Sequence, residues 1–300
     1  MLPFTRFAWA VLGYNLLVVL WGAFVRATGS GAGCGGSWPL CNGDVILRSM
    51  GAETIIEYTH RITSGLALAG VVALWFWARR LFPKGEPARR FAFLSVIFIV
   101  VEALLGAGLV VFDLVGKNSS AARAVYLSAH LTNTMILLAV IAATAYHAQP
   151  RKITLIERPR VIPAAIAVMI LVSISGAVAA LGDTVFPAGS VAEGVRRDLH
   201  PSSPLLLRLR MLHPALAVAG GFFLLYAATT AARLKLGSAP WAMFILVMVQ
   251  IVAGAINVAL AAPVWMQIVH LGIAQLLWLA VVLIYLRTSG VKAAPLAAAA

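Results

Sequence analysis

Four of the six histidines, His60, His130, His213 and His270, recur in matched contexts. AHLTN at His130 matches VHLGI at His270, and EYTHRITSGLALAG (Glu57 to Gly70) matches RMLHPALAVAGG (Arg210 to Gly221), pairing His60 with His213. A third match, VEALLGAGLVV with VQIVAGAINVA, pairs Glu102 with Gln250 and Gly106 with Gly254. Imidazole ligates iron, and two facing imidazoles can hold one iron porphyrin on both axial sides, whereas zinc asks for a third or fourth ligand from acids or thiols. One histidine alone in an apolar segment reads as readily as a hydrogen-bond partner for a neighbouring helix. Two pairs repeated by a duplication predict two haem sites instead. His147 and His200 fall outside the pattern and read as interfacial and loop residues.

The two copies differ beside their histidines. Glu57 stands three residues before His60, one helical turn away on the same face, and its counterpart before His213 is Arg210. A carboxylate in a partly desolvated pocket can move protons, while arginine suits a porphyrin propionate. This assigns catalysis to the first copy and electron transfer to the second. Glu57 has an alternative reading as a salt-bridge partner of Arg61. Glu102 reads either as a functional acid or as a protonated carboxyl bonded to a neighbouring helix. Cys34 and Cys41 flank GGSWPL, a spacing that predicts a small disulfide loop in an oxidising compartment, with a structural staple and a redox or substrate-handling role both open. Two cysteines are too few for a disulfide-rich scaffold or a four-thiolate metal site.

These residues need elements to position them. At 62% hydrophobic and 11% charged residues, with mean hydropathy +0.95, the chain exceeds what a water-soluble globule buries. Apolar runs at about 7–25, 55–78, 91–112, 124–146, 161–181, 208–231, 241–260 and 264–286 predict eight transmembrane helices, since uninterrupted runs do not fit barrel strands. The expected fold is an all-α integral membrane protein of two pseudo-symmetric four-helix bundles. Residues 1–149 are expected to form the half with the catalytic haem site and 150–300 the half with the electron-carrying haem. An even number of spans per half gives both copies one orientation, and such bundles place cofactors in their cores. Each histidine then lies about 8 Å inside the same face at ~1.5 Å per residue. The first run reads as a retained span rather than a signal peptide, and the segment after Leu286 as a frayed tail.

Charge sets the orientation. Arg79, Arg80, Lys84, Arg89 and Arg90 follow the second span, Arg151, Lys152, Arg158 and Arg160 the fourth, and Arg233 and Lys235 the sixth. Arg6, Arg287 and Lys292 add to this face, against Glu86 and Glu157. Both termini are therefore expected on the cytoplasmic side of the inner (cytoplasmic) membrane. The opposite face mixes both signs, with Asp44, Glu53, Asp113, Asp183, Glu193 and Asp198. The net charge of +13 is thus accounted for by membrane topology, and nucleic-acid binding loses its motivation.

The stretch GAFVRATGSGAGCGGSWPLCNG (Gly22 to Gly43), together with EYTHR, AHL, LHP and VHL, closely resembles the haem A synthase family of the bacterial cytochrome oxidase assembly pathway. The resemblance covers almost the whole chain; the first two motifs are specific and the three-residue ones weak alone. It implies oxidation of a porphyrin methyl group of haem O to a formyl group, giving haem A. It implies that His60 and His130 ligate the substrate haem, that Glu57 is the acid needed for turnover, and that His213 and His270 ligate a haem B cofactor. The cysteines match members with a loop disulfide. Arg26 lies in the family motif and, with Arg61 and Arg210, is a candidate propionate or pocket residue. Implied partners are haem O synthase (the farnesyltransferase), terminal-oxidase assembly factors and the lipid bilayer; a homo-oligomer stays open. Two simultaneous histidine ligands leave no open axial position on the iron. Either one of His60 and His130 lets go during turnover, the reading favoured by the nearby carboxylate, or oxidation proceeds without oxygen insertion at iron.

The main rival is a di-haem b-type cytochrome passing electrons between a quinol and a partner, against which the Glu57/Arg210 asymmetry and the cysteine loop speak. A transporter built from a parallel repeat would need broken helices and a midplane polar site.

Overall fold

The computed structural model describes residues 2–44, 51–149, 158–234 and 236–288. Arg151, Lys152, Glu157, Lys235 and Lys292 of the charge argument, and the tail from residue 289, lie outside the described residues. The helices are α1 (Leu2–Ala27), α2 (Ala52–Leu81), α3 (Pro87–Val111), α4 (Ala121–His147), α5 (Val161–Val185), α6 (Val191–Leu199), α7 (Leu205–Arg210), α8 (Leu212–Ala232), α9 (Ala239–Ala259) and α10 (Val264–Arg287). Among the described residues eight segments are long and apolar enough to cross a membrane, the sixth being α7 and α8 together, Leu205–Ala232. The all-α, eight-span class expected from the apolar runs is the class observed.

The sixth span departs from the single run expected over 208–231. Pro214 has no N–H to return to the Arg210 carbonyl, and its ring crowds that carbonyl. The helix is interrupted at Met211, immediately before His213. The connection before it holds α6, which composition alone did not flag. Ser190 caps it by accepting from the Glu193 N–H at 3.2 Å, and the Glu193 carboxylate returns to the Gly189 N–H at 2.9 Å.

α1 packs on α2 and α4, and α3 packs on the same two helices. α5 and α9 each pack on both α8 and α10. The first four helices meet the rest where α1 and α4 touch α5 and α10, so α4 and α10 bury the largest shares of their lengths. Leu74, Leu138, Ile141, Met243 and Val281 fill the core, and the Trp278 indole N–H crosses from α10 to the Met135 carbonyl of α4 at 2.8 Å. Leu17, Leu104, Phe222, Tyr226 and Trp241 are each more than 60% exposed, apolar surface that hydrocarbon solvates and water does not. Polar side chains within the spans turn back to helix carbonyls, as Asn15 does to Val11 at 2.8 Å and Ser64 to His60 at 2.7 Å. In lipid each such group needs an internal partner.

Candidate functional site

The Gly-rich loop after α1 folds down over the start of α2. Cys34 and Cys41 are joined in a disulfide with Cα atoms 4.4 Å apart, as the spacing predicts, and the Asn42 N–H closes the loop on the Cys34 carbonyl at 3.0 Å. Gly33 lies so close to α2 that a Cβ there would sit 2.5 Å from the Glu53 backbone, and its carbonyl accepts from the Thr54 hydroxyl at 2.8 Å. Glu57 is 4% exposed beneath this loop. One carboxylate oxygen accepts from the Cys34 N–H at 2.8 Å, and the other takes Nε and Nη2 of Arg61. Arg61 also donates to the Ser37 and Leu40 carbonyls at 2.6 and 2.5 Å. The salt bridge read as the alternative for Glu57 is therefore present, and Glu57, Arg61 and the disulfide loop form one cluster.

The four histidines project from α2, α4, α8 and α10, and each leans on a glycine of an adjacent helix. A Cβ on Gly22 of α1 would stand 2.9 Å from His60 Cε1; on Gly176 of α5, 3.0 Å from His213 Cε1; on Gly254 of α9, 3.1 Å from His270 Cε1. Gly106 of α3 is looser, 3.9 Å from His130. A side chain at Gly22 would force the His60 ring to shift, and one at Gly176 or Gly254 would press the facing imidazole by a few tenths of an ångström. Nδ1 of His60, of His130 and of His270 is buried without a hydrogen-bond partner.

His213 and His270 face one another with ring centres 6.4 Å apart and planes at 82°. Two imidazoles bound through nitrogen at about 2 Å on opposite faces of one iron would have ring centres about 6 Å apart. The ring separation of the pair meets that requirement. His213 Nδ1 is 3.0 Å from the Ser175 hydroxyl, which donates its own proton to the Val172 carbonyl at 2.8 Å. With that proton so placed, Ser175 can accept from Nδ1–H, the tautomer that leaves Nε2 of His213 as the free acceptor a metal needs. No cluster of three or more His, Cys, Asp or Glu side chains suited to a bare metal ion occurs among the described residues.

Glu102 of α3 is the carboxylate found against a first-half imidazole. Its Oε1 is 3.4 Å from His130 Nδ1, a contact that falls short of hydrogen-bond geometry. Its other partners are the Asn133 amide at 2.5 Å and the Thr134 hydroxyl, both on α4. In the second half Gln250 of α9 takes the corresponding place, with its amide nitrogen 3.1 Å from His270 Nε2 and its oxygen buried and unpaired.

The candidate arginines all have partners within the chain. Arg210 pairs with Asp183 at 2.8 Å and Asp198 at 2.6 Å. Arg26 reaches from α1 to the Ala180 carbonyl and Thr184 hydroxyl of α5 at 2.7 and 2.6 Å, and to Gln267 of α10 at 3.0 Å. His147 stacks on Phe91 and His200 bonds Ser202, away from the four histidines as expected. An apolar groove of about 770 Å³ runs between α4 and α5, with Val125, Ser128 and Thr132 among its lining residues, nearly opposite His130 on the α4 circumference. The sequence reading missed Gly22, Gly176, Ser175, Asp183 and Asp198 as site residues. WGAF at Gly22 and SGAV at Gly176 were the available signal, two short matches on the first span of each half.

An all-α membrane protein with partly buried histidines seated on glycines, two of them facing one another, and a disulfide-stapled loop over Glu57 is the class these features define. The cytochrome oxidase assembly protein family (COX15-CtaA) matches residues 5–282, and the chain belongs to that family. A protoheme IX farnesyltransferase of Thermus thermophilus is 46% identical over 294 residues, which is 95% of this chain and 48% of that protein. A heme A synthase of Alkalihalophilus pseudofirmus is 44% identical over 129 residues, 42% of each chain. One from Bacillus cereus is 45% identical over 97 residues, 32% of this chain and 31% of its own. The chain thus spans about half the length of the curated relatives it matches.

Proposed function

We propose that the chain is a haem A synthase of the cytoplasmic membrane with both termini cytoplasmic, built of two pseudo-equivalent halves. The observation that carries this reading is the repeated seating of histidines on glycines, with His213 and His270 at a spacing that suits one iron between them. Family membership and the heme A synthase relatives support the reaction and disfavour a di-haem electron carrier. Haem O is the substrate, held by His60 and His130; haem A is the product.

Haem B, held by His213 and His270, supplies one-electron transfer when bound. His213 is presented in its Nδ1–H tautomer by Ser175, and Gly176 and Gly254 leave room for both rings. At the substrate site Glu57 places a carboxylate beneath the outer loop, kept in place by Arg61 and the Cys34 N–H. His60 and His130 would hold the haem O iron, and turnover would require one of them to let go; spectra retaining both ligands throughout would exclude this requirement. Arg26 joins the halves rather than standing free for a propionate.

The Thermus relative named as a farnesyltransferase carries a region similar to nearly all of this chain in about half its length. That supports direct supply of haem O by a farnesyltransferase partner. The test is co-expression with a protohaem farnesyltransferase in a host that makes no haem A. Extracted pigment containing a formyl-bearing haem is the expected result; haem O accumulating unchanged would overturn the proposal.

A further inference from the structure

We infer that Glu102 is a positioning residue for His130, one that makes the first-half imidazole a stronger electron donor to its iron than either histidine of the second half. The inference rests on the proposed function, specifically on His130 being an iron ligand. Glu102 is neither in the cysteine loop nor on a histidine-bearing helix, and its reach to His130 comes from the close packing of α3 on α4. Asn133 spends one amide N–H on the Phe98 carbonyl at 2.9 Å and the other on Glu102 Oε2. Thr134 meets Oε1. The carboxyl group is thereby fixed on two sides with Oε1 aimed at His130 Nδ1, which is buried and otherwise unpaired. An N–H in that position has Glu102 Oε1 within reach, and catalytic hydrogen bonds that start long often tighten in the ligand complex. A carboxylate on the far nitrogen of a ligating imidazole fixes the tautomer and raises ligand basicity.

The second half lacks this arrangement. His213 has a hydroxyl on Nδ1, and the pseudo-equivalent of Glu102 is the neutral Gln250, set against Nε2 of His270. An electron-rich axial ligand favours ferric iron, so the first-half haem should have the lower midpoint potential for this reason.

The test is a spectroelectrochemical titration of the purified full chain carrying haem B and loaded with haem O, following the two pigments separately, in wild type, Glu102→Gln and Glu102→Asp. Glu102→Gln should raise the ratio of reduced to oxidised haem O at fixed potential about tenfold, about 59 mV for one electron. Haem B should stay unmoved, and Glu102→Asp should fall between. A drop of about tenfold or more in haem O affinity confined to the first half also supports the inference, as expected for a lost outer partner of a ligand. An unchanged haem O potential and affinity in Glu102→Gln would overturn it, as would loss of both haems, which would make Glu102 a residue of the fold. Failure of wild type to bind haem O at all would instead overturn the proposed function beneath it.

Discussion

The halves share a way of seating histidines and differ in the charge placed around them. In the first, the residue one turn before the histidine of the second span is Glu57, which grips a cation and a loop N–H. In the second it is Arg210, which grips Asp183 and Asp198. On the third span the acid Glu102 faces Gln250 across the duplication. Steric provision for the rings is common to both copies, while negative charge next to the imidazoles belongs to the first. On the proposed reading this difference in polarity divides the labour, with Glu57 and Glu102 beside the substrate site and Gln250 in the place of Glu102 beside the electron-transfer site.

The largest break in this comparison comes from Glu57→Gln. Haem A formation should fall by about 10²-fold or more, as for loss of a general acid or base, while the haem B spectrum stays at wild-type intensity. Simultaneous loss of both haems would reduce Glu57 to a structural role. Effects of the next size come from the glycines. Gly22→Ala places a methyl 2.9 Å from His60, and Gly176→Ala one 3.0 Å from His213. Each should cost about 10- to 100-fold in haem affinity, of the order seen when a ligand loses its outer-shell support, and in its own half only. Gly106→Ala, with 3.9 Å of clearance, should bind haem as wild type does. Equilibrium haem titrations of the three variants check whether the halves are independent.

The smallest effect expected is that of the staple. Replacing Cys34 and Cys41 by serine removes a cross-link worth about 2 kcal/mol for so short a loop. Thermal loss of first-half pigment should begin at lower temperature, with the second-half haem following its usual curve. Equal shifts in both would show that the loop supports the whole bundle.

Much of this arrangement is legible in the amino-acid sequence. Apolar runs set the eight spans because backbone groups in hydrocarbon must pair within their own segment. The matched contexts of His60 with His213, and of His130 with His270, identified the residues that share a packing environment. What the linear chain did not reveal depends on approach between distant segments. Gly22 and Gly176 look like ordinary small residues until a ring is found against them. The sixth span looked continuous, although Pro214 carried the reason for its break. Glu102 stands out in sequence as an acid within an apolar span, yet only the packing of α3 on α4 turns it toward His130. Arg26 and Arg210 read as cations free for a propionate, and their partners lie far away in sequence.

The central claim, that each half holds its own chemically distinct haem, is tested most directly by extracting and chromatographing pigment from purified His130→Ala and His270→Ala proteins beside wild type. The account predicts that wild type yields haem B with haem O or haem A, that His270→Ala loses haem B alone, and that His130→Ala keeps haem B while losing the farnesylated haem. A colourless wild type, or the same pigment lost from both variants, would contradict it.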